Sequence, residues 1–464
     1  MDTSDTEPHA HVRFSTITFA LQTVGCKLNR AESESLARTF LDAGFAMVDT
    51  DESPDIYVLN TCTVTHIADR KCRQYLRSFR QRNPHSLIVA MGCYVERSTP
   101  EVDRIESVDL VIGNRDKDRA LERIAAHLRT GNGHWAQRRS SFPIEGEEIL
   151  SLPDGERIGV RGIKPTAFRT RAMIKVQDGC SHGCSYCIVP RVRGRETSIP
   201  PEQVLAEIKS RVDEGCKEIV LTGTRIGAYG YHGGIEGLIE CILDQSAIAR
   251  IRLSSLQPRE ISSTLIDLWE KDERICRHLH LALQSGSKSV LQRMRRDYSL
   301  TEYAQAVNDV REAMPDIAIT TDIIVGFPGE TDEEFDESYR FCQRIGFANL
   351  HVFPYSVRTG TPAARMSGRV PDKIKKARSR RMLDLARTSS HEFRRRFRGE
   401  TMPVLWEENK GNMWIGHTGN YIKVFARTDE PLGNRVTPAK LGDECKQGLW
   451  GEVLGLETPV AQRG

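Results

Sequence analysis

The 464-residue chain has no apolar run approaching eighteen residues, so no membrane span is expected. Its opening, MDTSDTEPHAHVRF, lacks the basic start and apolar middle of a secretory signal. Residues 1–14 are expected to be a short disordered leader, and the protein to be cytoplasmic. An excess of charge of one sign is also missing. With 66 Lys and Arg against 63 Asp and Glu, the net charge is only +3. That balance alone says nothing about a polyanionic partner, and local distribution matters more. Hydrophobic residues at 39% and charged residues at 28% suit a soluble globular protein. The length exceeds one typical core, so two to four domains are expected. Cysteine, by contrast, is abundant. Twelve in such a chain argue for metal or redox chemistry over a disulfide scaffold.

Three of the twelve stand in QDGCSHGCSYCIVPR: Cys180, three residues, Cys184, two residues, Cys187. The local pattern lacks a fourth ligand. Structural zinc wants four, from Cys or His. His182 lies inside the triplet, but its neighbours occupy ligand positions and its cooperation would be strained. A 4Fe-4S cubane held by three thiolates instead leaves one iron open to bind and reduce a cofactor. Zinc remains the competing reading at this point.

Four segments of the first third read as buried parallel strands: 17–24, 55–61, 86–92 and 108–114. Helix-period stretches such as 29–43 and 64–82 lie between them, which implies a doubly wound α/β domain over 15–130. Cys26, Cys62 and Cys93 follow the ends of successive strands, in VGCKLN, NTCTVT and MGCYVE. Their separations, 36 and 31 residues, match one βαβ unit. Parallel strands put their C-terminal ends on one edge, where open α/β sheets bind ligands. The three are therefore expected to converge on a shared metal site. Cys72, inside a helical stretch, reads as a packing residue, as do Cys216, Cys241, Cys276, Cys342 and Cys445.

Residues 131–165 show little periodicity and read as a linker. Strands are then expected at 171–177, 218–224, 249–256, 278–284, 318–327 and 348–356, with helices such as 201–213 and 301–313 between them. Six βα units are too few for a closed eight-stranded barrel and suit a partial one over 166–398. The cysteine triplet follows the first strand, at the C-terminal rim where barrel chemistry sits. Thr222 and Gly223, Ser254 and Ser255, and Gln284 follow other strands, so the same rim could hold an extended polar cofactor. Residues 372–398 carry eleven Lys or Arg against three Asp or Glu. A β-rich tail with Trp406, Trp414 and Tyr421 follows over 399–458. A small β-barrel beside a basic stripe is a common way to hold RNA. Each tail aromatic by itself reads as core.

The order GCKLNRAESES, NTCTVT, MGCY, QDGCSHGCSYCIVPRVRGR, IVLTGTRIGAYG, RLSSLQP, LHLALQSGS, TTDIIVGFPGET and HVFPYSVRTGTPAA resembles the radical S-adenosylmethionine methylthiotransferases, from about residue 15 to the end. The forms GCKLN and NTCTVT are most similar to the branch acting on N6-threonylcarbamoyladenosine at position 37 of tRNA. Sister branches act on isopentenyladenosine in tRNA or on a ribosomal protein. The resemblance implies two 4Fe-4S clusters, one on Cys26, Cys62 and Cys93 and one on Cys180, Cys184 and Cys187. It implies that S-adenosylmethionine chelates the open iron and is cleaved to a 5′-deoxyadenosyl radical, with Tyr186 near its adenine. Thr222, Gly223, Ser254, Ser255 and Gln284 would touch the rest of that cofactor. It also implies a C-terminal TRAM-like domain and the tRNA anticodon loop as partner. An electron donor such as flavodoxin or ferredoxin would serve the clusters. Arg191, Arg193 and Arg195 beside the cluster loop, and Arg394, Arg395 and Arg396 in the basic stripe, are the expected RNA contacts. His66 and His182 are not nominated as acid or base. The competing readings are a radical enzyme with a protein or small-molecule substrate, and a zinc-bearing RNA-binding protein without catalysis.

Overall fold

In the computed structural model, which describes residues 17–130 and 170–455, the apolar runs of the first third pair as expected. The strands are β1 (Thr18–Thr23), β2 (Ala46–Met47), β3 (Ile56–Thr61), β4 (Leu87–Gly92) and β5 (Leu110–Ile112). They form one parallel sheet of order 2-1-3-4-5. β3 and β4 are buried at every position, which is why IYVLNT and LIVAMG read as continuous apolar runs. The expected leader 1–14 and linker 131–165 lie outside the described residues.

The described residues divide into two compact units. The first comprises 17–24, 33–62 and 69–130. The second comprises 170–455 together with two short stretches of the N-terminal third, Gly25–Glu32 and Thr63–Ala68.

In the second unit the strands are β6 (Arg171–Lys175), β7 (Gln177–Asp178), β8 (Thr197–Ser198), β9 (Glu218–Thr222), β10 (Arg250–Leu253), β11 (Ser255–Leu256), β12 (His278–Leu281), β13 (Ala318–Val325) and β14 (Asn349–Pro354). The run expected as one strand over 249–256 breaks at Ser254. β10 joins β9 and β6, and β11 joins β12, β13 and β14, all in parallel. One bent segment thus links two sheets into a partial (βα)6 barrel. The expected first strand also stops early, and β7 pairs antiparallel with β8 to form a clip. Helices between strands are capped by their own sequence. Ser299 with Glu302, and Thr331 with Glu334, form capping boxes.

Alternation along the strands separates two environments. Ala172 and Ile174, Ile219 and Leu221, Ile251 and Leu253, and Ile319 and Ile323 belong to the main apolar core. The residues between them face the barrel lumen and are largely polar: Arg171, Lys175, Glu218, Thr222, Arg250, Arg252, Ser254, Thr320 and Asp322.

The tail closes into a barrel of β15 (Thr401–Lys410), β16 (Met413–Thr418), β17 (Lys423–Arg427), β18 (Val436–Cys445) and β19 (Gly448–Val453), ordered 15-16-17-19-18. Trp406 and Trp414 pack in its core with Val404, Val424 and Leu449. Tyr421 does not. It adopts a left-handed backbone with φ 67°. Its ring lies 4.5 Å from the Arg252 guanidinium and 5.2 Å from that of Arg171. The seam between the two barrels centres on Glu218, which is 1% exposed. It accepts from Arg252 Nε at 2.7 Å, while Arg250 Nε stands at 3.2 Å and Arg171 Nη1 at 3.9 Å. The same arginines reach across. Arg252 donates to the Gly419 carbonyl, Arg250 to the His417 carbonyl, and Arg171 to Glu407.

Burial alone would raise the Glu218 pKa, but the guanidinium groups of Arg252, Arg250 and Arg171 hold it at about 2. Because the folded value is depressed, the carboxylate's contribution to stability is present above its ordinary value of 4.5 and is lost as pH falls toward 2. Glu218→Gln leaves three guanidinium groups without their shared counter-charge, which should cost about 3–5 kcal/mol at pH 7. Urea denaturation of variant and unmutated protein at pH 7 and again near pH 3 checks this, with the gap between them narrowing at the lower pH.

Candidate metal and cofactor site

The loop carrying Cys180, Cys184 and Cys187 leaves the end of β7, at the C-terminal rim of the partial barrel. Gly179 starts it at φ 70°, and a Cβ there would lie 1.9 Å from the Arg195 carbonyl oxygen. Only glycine permits that approach. Cys180 N then donates to the Gly194 carbonyl at 3.0 Å. At the far end, Ser185 is pinned through Oγ to the Arg293 carbonyl at 2.7 Å and through its N–H to that of Met294. The buried Gln177 side chain donates to the Gly179 carbonyl and accepts from Arg225 N. The loop that carries the three cysteines is thus tied at both ends.

The thiols feel one another. Burial pushes Cys187 up to about 12, and the charges of Cys184 and Cys180 add to it. Burial likewise raises Cys180. A neutral buried thiol is an inert one, and a thiol becomes a ligand only when a metal displaces its proton. Arg296 Nη1 stands 3.4 Å from Cys184 Sγ. It is a charged donor to a ligating sulfur that no sequence pattern marked. Tyr186 packs with Val290, Met294 and Phe327 under the loop. His182 Nε2 lies 3.7 Å from Asp297, which occupies it away from the triplet.

The rim residues have mixed surroundings. Thr222 and Ser254 are buried and face the lumen. Ser254 Oγ has no hydrogen-bond partner among the described residues, as an open polar subsite requires. Gln284 sits at φ 70°, a conformation costly for a residue with a Cβ. It is held there by its N–H to the Asp322 carbonyl and by Ile324 N to its own carbonyl. Gly223 is close-packed instead, with a Cβ position 2.8 Å from the Gln177 carbonyl. Ser255 is exposed.

In the first unit, Thr61 and Gly92 are register partners on β3 and β4, so Cys62 and Cys93 follow at one level on neighbouring strands. Gly92 permits the approach. At φ 105°, a Cβ there would come within 2.7 Å of Thr61 O. Asn114 Nδ2 lies 3.5 Å from Cys93 Sγ. Cys72 is fully buried and donates to the Cys62 carbonyl. Cys26 follows β1 in the stretch Gly25–Glu32, exposed, with its Sγ 3.7 Å from Asn29 Oδ1.

Among the described residues, no three His, Cys, Asp or Glu side chains are drawn together as ligands of one metal ion. A cubane spreads its thiolates around a cage of atoms, farther apart than the ligands of tetrahedral zinc.

A family model described as the Radical SAM superfamily matches residues 174–342, and one described as Uncharacterized protein family UPF0004 matches 18–113. The chain is 37% identical over 450 residues to the threonylcarbamoyladenosine tRNA methylthiotransferase MtaB of Bacillus subtilis (strain 168), covering 94% of this chain and 97% of that one. The chain belongs to the radical S-adenosylmethionine methylthiotransferases. A protein of the same name from Aquifex aeolicus is 35% identical over 90% of this chain and 98% of its own length. The tRNA-2-methylthio-N(6)-dimethylallyladenosine synthase of Lachnoclostridium phytofermentans is 34% identical over 93% and 94%. Among solved structures, the radical S-adenosylmethionine methyltransferase TsrM of Kitasatospora setae shares the fold with a TM-score of 0.53. It is 16% identical and covers 75% of this chain and 77% of that one.

A radical S-adenosylmethionine methylthiotransferase implies a 4Fe-4S cluster and S-adenosylmethionine. The residues present fit them: three thiols in one doubly anchored loop, a cationic donor at one sulfur, and the unpartnered Ser254 hydroxyl on the lumen face.

Three of the six arginines expected at RNA have other partners. Arg193 is 4% exposed and clamped by Glu32 at 2.9 Å, Asp178 at 2.9 Å and Asn29 at 2.6 Å. Burial alone would raise the Asp178 carboxyl, yet Arg193 and Lys175 hold it below its usual range. Arg394 pairs with Glu444, and Arg396 donates to the Pro315 carbonyl over the rings of Phe393 and Phe397. Arg193 and Arg394, engaged by carboxylates, have little left for phosphate, whereas Arg396 is exposed and donates to one carbonyl. Arg191, Arg195 and Arg395 are exposed.

Arg193→Ala should therefore act on stability first. It leaves Glu32 and Asp178 to share Lys175, with an expected cost of about 3 kcal/mol. Arg191→Ala and Arg195→Ala should stay within about 0.5 kcal/mol. Urea denaturation of the three variants separates the clamp from the surface positions.

Proposed function

We propose that the chain methylthiolates C2 of N6-threonylcarbamoyladenosine at position 37 of tRNA, using two 4Fe-4S clusters and two S-adenosylmethionine. The observation that carries this reading is the near full-length likeness to relatives named for that activity. Dimethylallyladenosine in tRNA is the second reading, because relatives named for it are 34% identical over comparable spans.

C2–H of adenine is neither acidic nor electrophilic, so no side-chain acid–base pair could activate it, and the hard step falls to a cofactor. When bound, a 4Fe-4S cluster would supply the electron for reductive cleavage of S-adenosylmethionine. The chain's own residues bind and orient. Cys180, Cys184 and Cys187 would hold that cluster, with Arg296 donating to the Cys184 sulfur. Tyr186, Thr222, Ser254 and Gln284 would line the cofactor's course along the rim. Gly223 would serve by letting that rim close on Gln177. Cys26, Cys62 and Cys93 would hold the second cluster. Arg191, Arg195 and Arg395 are the arginines best placed to neutralise phosphates around the anticodon loop. A small electron carrier such as flavodoxin or ferredoxin would be needed, in the cytoplasm. Among the described residues no helix is long and apolar enough to cross a membrane.

Anaerobically reconstituted protein should convert an anticodon stem-loop carrying N6-threonylcarbamoyladenosine to its 2-methylthio form, detected by mass spectrometry of nucleosides. Replacing Cys180, Cys184 and Cys187 with Ala should remove about half the iron and abolish reductive cleavage of S-adenosylmethionine. Replacing Cys26, Cys62 and Cys93 should leave that cleavage intact and abolish the methylthio product. Catalytic sulfur transfer by the second variant would reduce its cysteines to packing residues. Turnover of the dimethylallyl stem-loop alone would establish the second reading.

A further inference from the structure

The helix Lys27–Asp42 begins in the stretch that packs with the second unit. Ala31 forms a small apolar cluster with Met173 of β6 and Val220 of β9. Their strand neighbours Ala172, Ile174, Ile219 and Leu221 face the outer core, so Met173 and Val220 face the lumen. Lys27 lies four residues before Ala31 and shares its helix face. Asn29 and Glu32, on another face, hold the helix's rotation through Arg193 and Lys175. Lys27 therefore points its ammonium into the lumen of the partial barrel.

The titratable groups around that ammonium are Tyr421, Arg252, Arg171 and Asp322. Among the described residues it makes no hydrogen bond and no ion pair. The carboxylates nearby are engaged elsewhere. Glu218 is shared among three arginines, Glu407 takes Arg171, and Asp322 stands 3.4 Å from His280. A half-buried cation without a counter-charge is costly, and an arriving anion relieves the cost. The buried Ser254 Oγ on the lumen face also has no partner among the described residues.

We infer that Lys27 is a specificity-determining residue, binding the carboxylate of the threonyl substituent on the target adenosine. This rests on the threonylcarbamoyladenosine reading above and assigns how it is enforced. A dimethylallyl substituent carries no charge and would leave the ammonium unpaired, so one residue would both favour the acid and disfavour the apolar base. The methionine end of S-adenosylmethionine also carries a carboxylate, and the experiment separates the two sources.

Binding of fluorescent anticodon stem-loops to the full-length protein is measured without S-adenosylmethionine. One RNA carries N6-threonylcarbamoyladenosine, and the other carries the same group with its carboxylate converted to the carboxamide. The unmutated protein should bind the acid roughly tenfold or more tightly than the amide, as a hydrogen bond to a charged group allows. Lys27→Gln should bind both alike, and Lys27→Arg, which keeps the charge, should retain the preference. S-adenosylmethionine affinity, measured by calorimetry, should be the same in Lys27→Gln. Absence of an acid preference in the unmutated protein overturns the inference, and that arm needs no variant to fold. A preference that survives in Lys27→Gln overturns it too. Loss of cofactor affinity in Lys27→Gln with the RNA preference intact assigns the carboxylate to the cofactor and overturns it likewise. Failure of the unmutated protein to methylthiolate the acid-bearing stem-loop is a different result and overturns the substrate reading beneath.

Discussion

One buried carboxylate organises the second unit. Glu218 starts β9 and gathers Arg171, Arg250 and Arg252 from the two flanking strands. Those guanidinium groups have hydrogen bonds to spare, and they spend them on the C-terminal barrel, at Glu407 and at the carbonyls of His417 and Gly419. Arg252 and Arg171 then flank the ring of Tyr421. The two barrels are thus joined by a charge network that neither could satisfy alone. A bidentate, always-charged side chain suits this role because each guanidinium can serve a carboxylate and a carbonyl at once. The floor of the lumen is consequently polar, ordered and rich in positive charge.

The opposite end is governed by close approach. Gly179, Gly223 and Gln177 let the cysteine loop lie against neighbouring backbone, and Ser185 ties it to the chain around residue 293. Rigid anchoring matters there because three ligands must be presented together. Burial raises the Cys180 and Cys187 thiols, which keeps a buried loop from carrying uncompensated negative charge. The first turn of the helix Lys27–Asp42 packs on the lumen side of β6 and β9 through Ala31, Met173 and Val220.

The arginines of one charge run are not equivalent in the fold. The stripe 372–398 reads as an RNA-binding face by composition. In the fold, Arg378 is buried against Glu330 and Asp332, Arg381 meets Asp336, and Arg394 meets Glu444. Their partners come from segments distant in sequence, chiefly the acidic run 330–337, so the neutralisation is invisible in a local count. Arg193 is the same case at the rim, where its carboxylates come from residues 32 and 178.

Local pattern determined a good deal. Continuous apolar runs marked the parallel strands, since strands covered on both faces need them. Cysteine spacing marked the loop at 180–187, since ligands on one loop must be close in sequence. Family likeness was written in motifs that span the chain. What required the tertiary structure were the pairings between segments far apart. These include the break at Ser254 that lets one run serve two sheets, the use of Tyr421 at the seam while Trp406 and Trp414 fill the core, and the entry of Lys27 into the barrel lumen. The physical reason is common to all three. Strand period and ligand spacing are properties of a few consecutive residues, whereas burial and charge compensation depend on which remote side chain arrives opposite, and only the folded chain decides that.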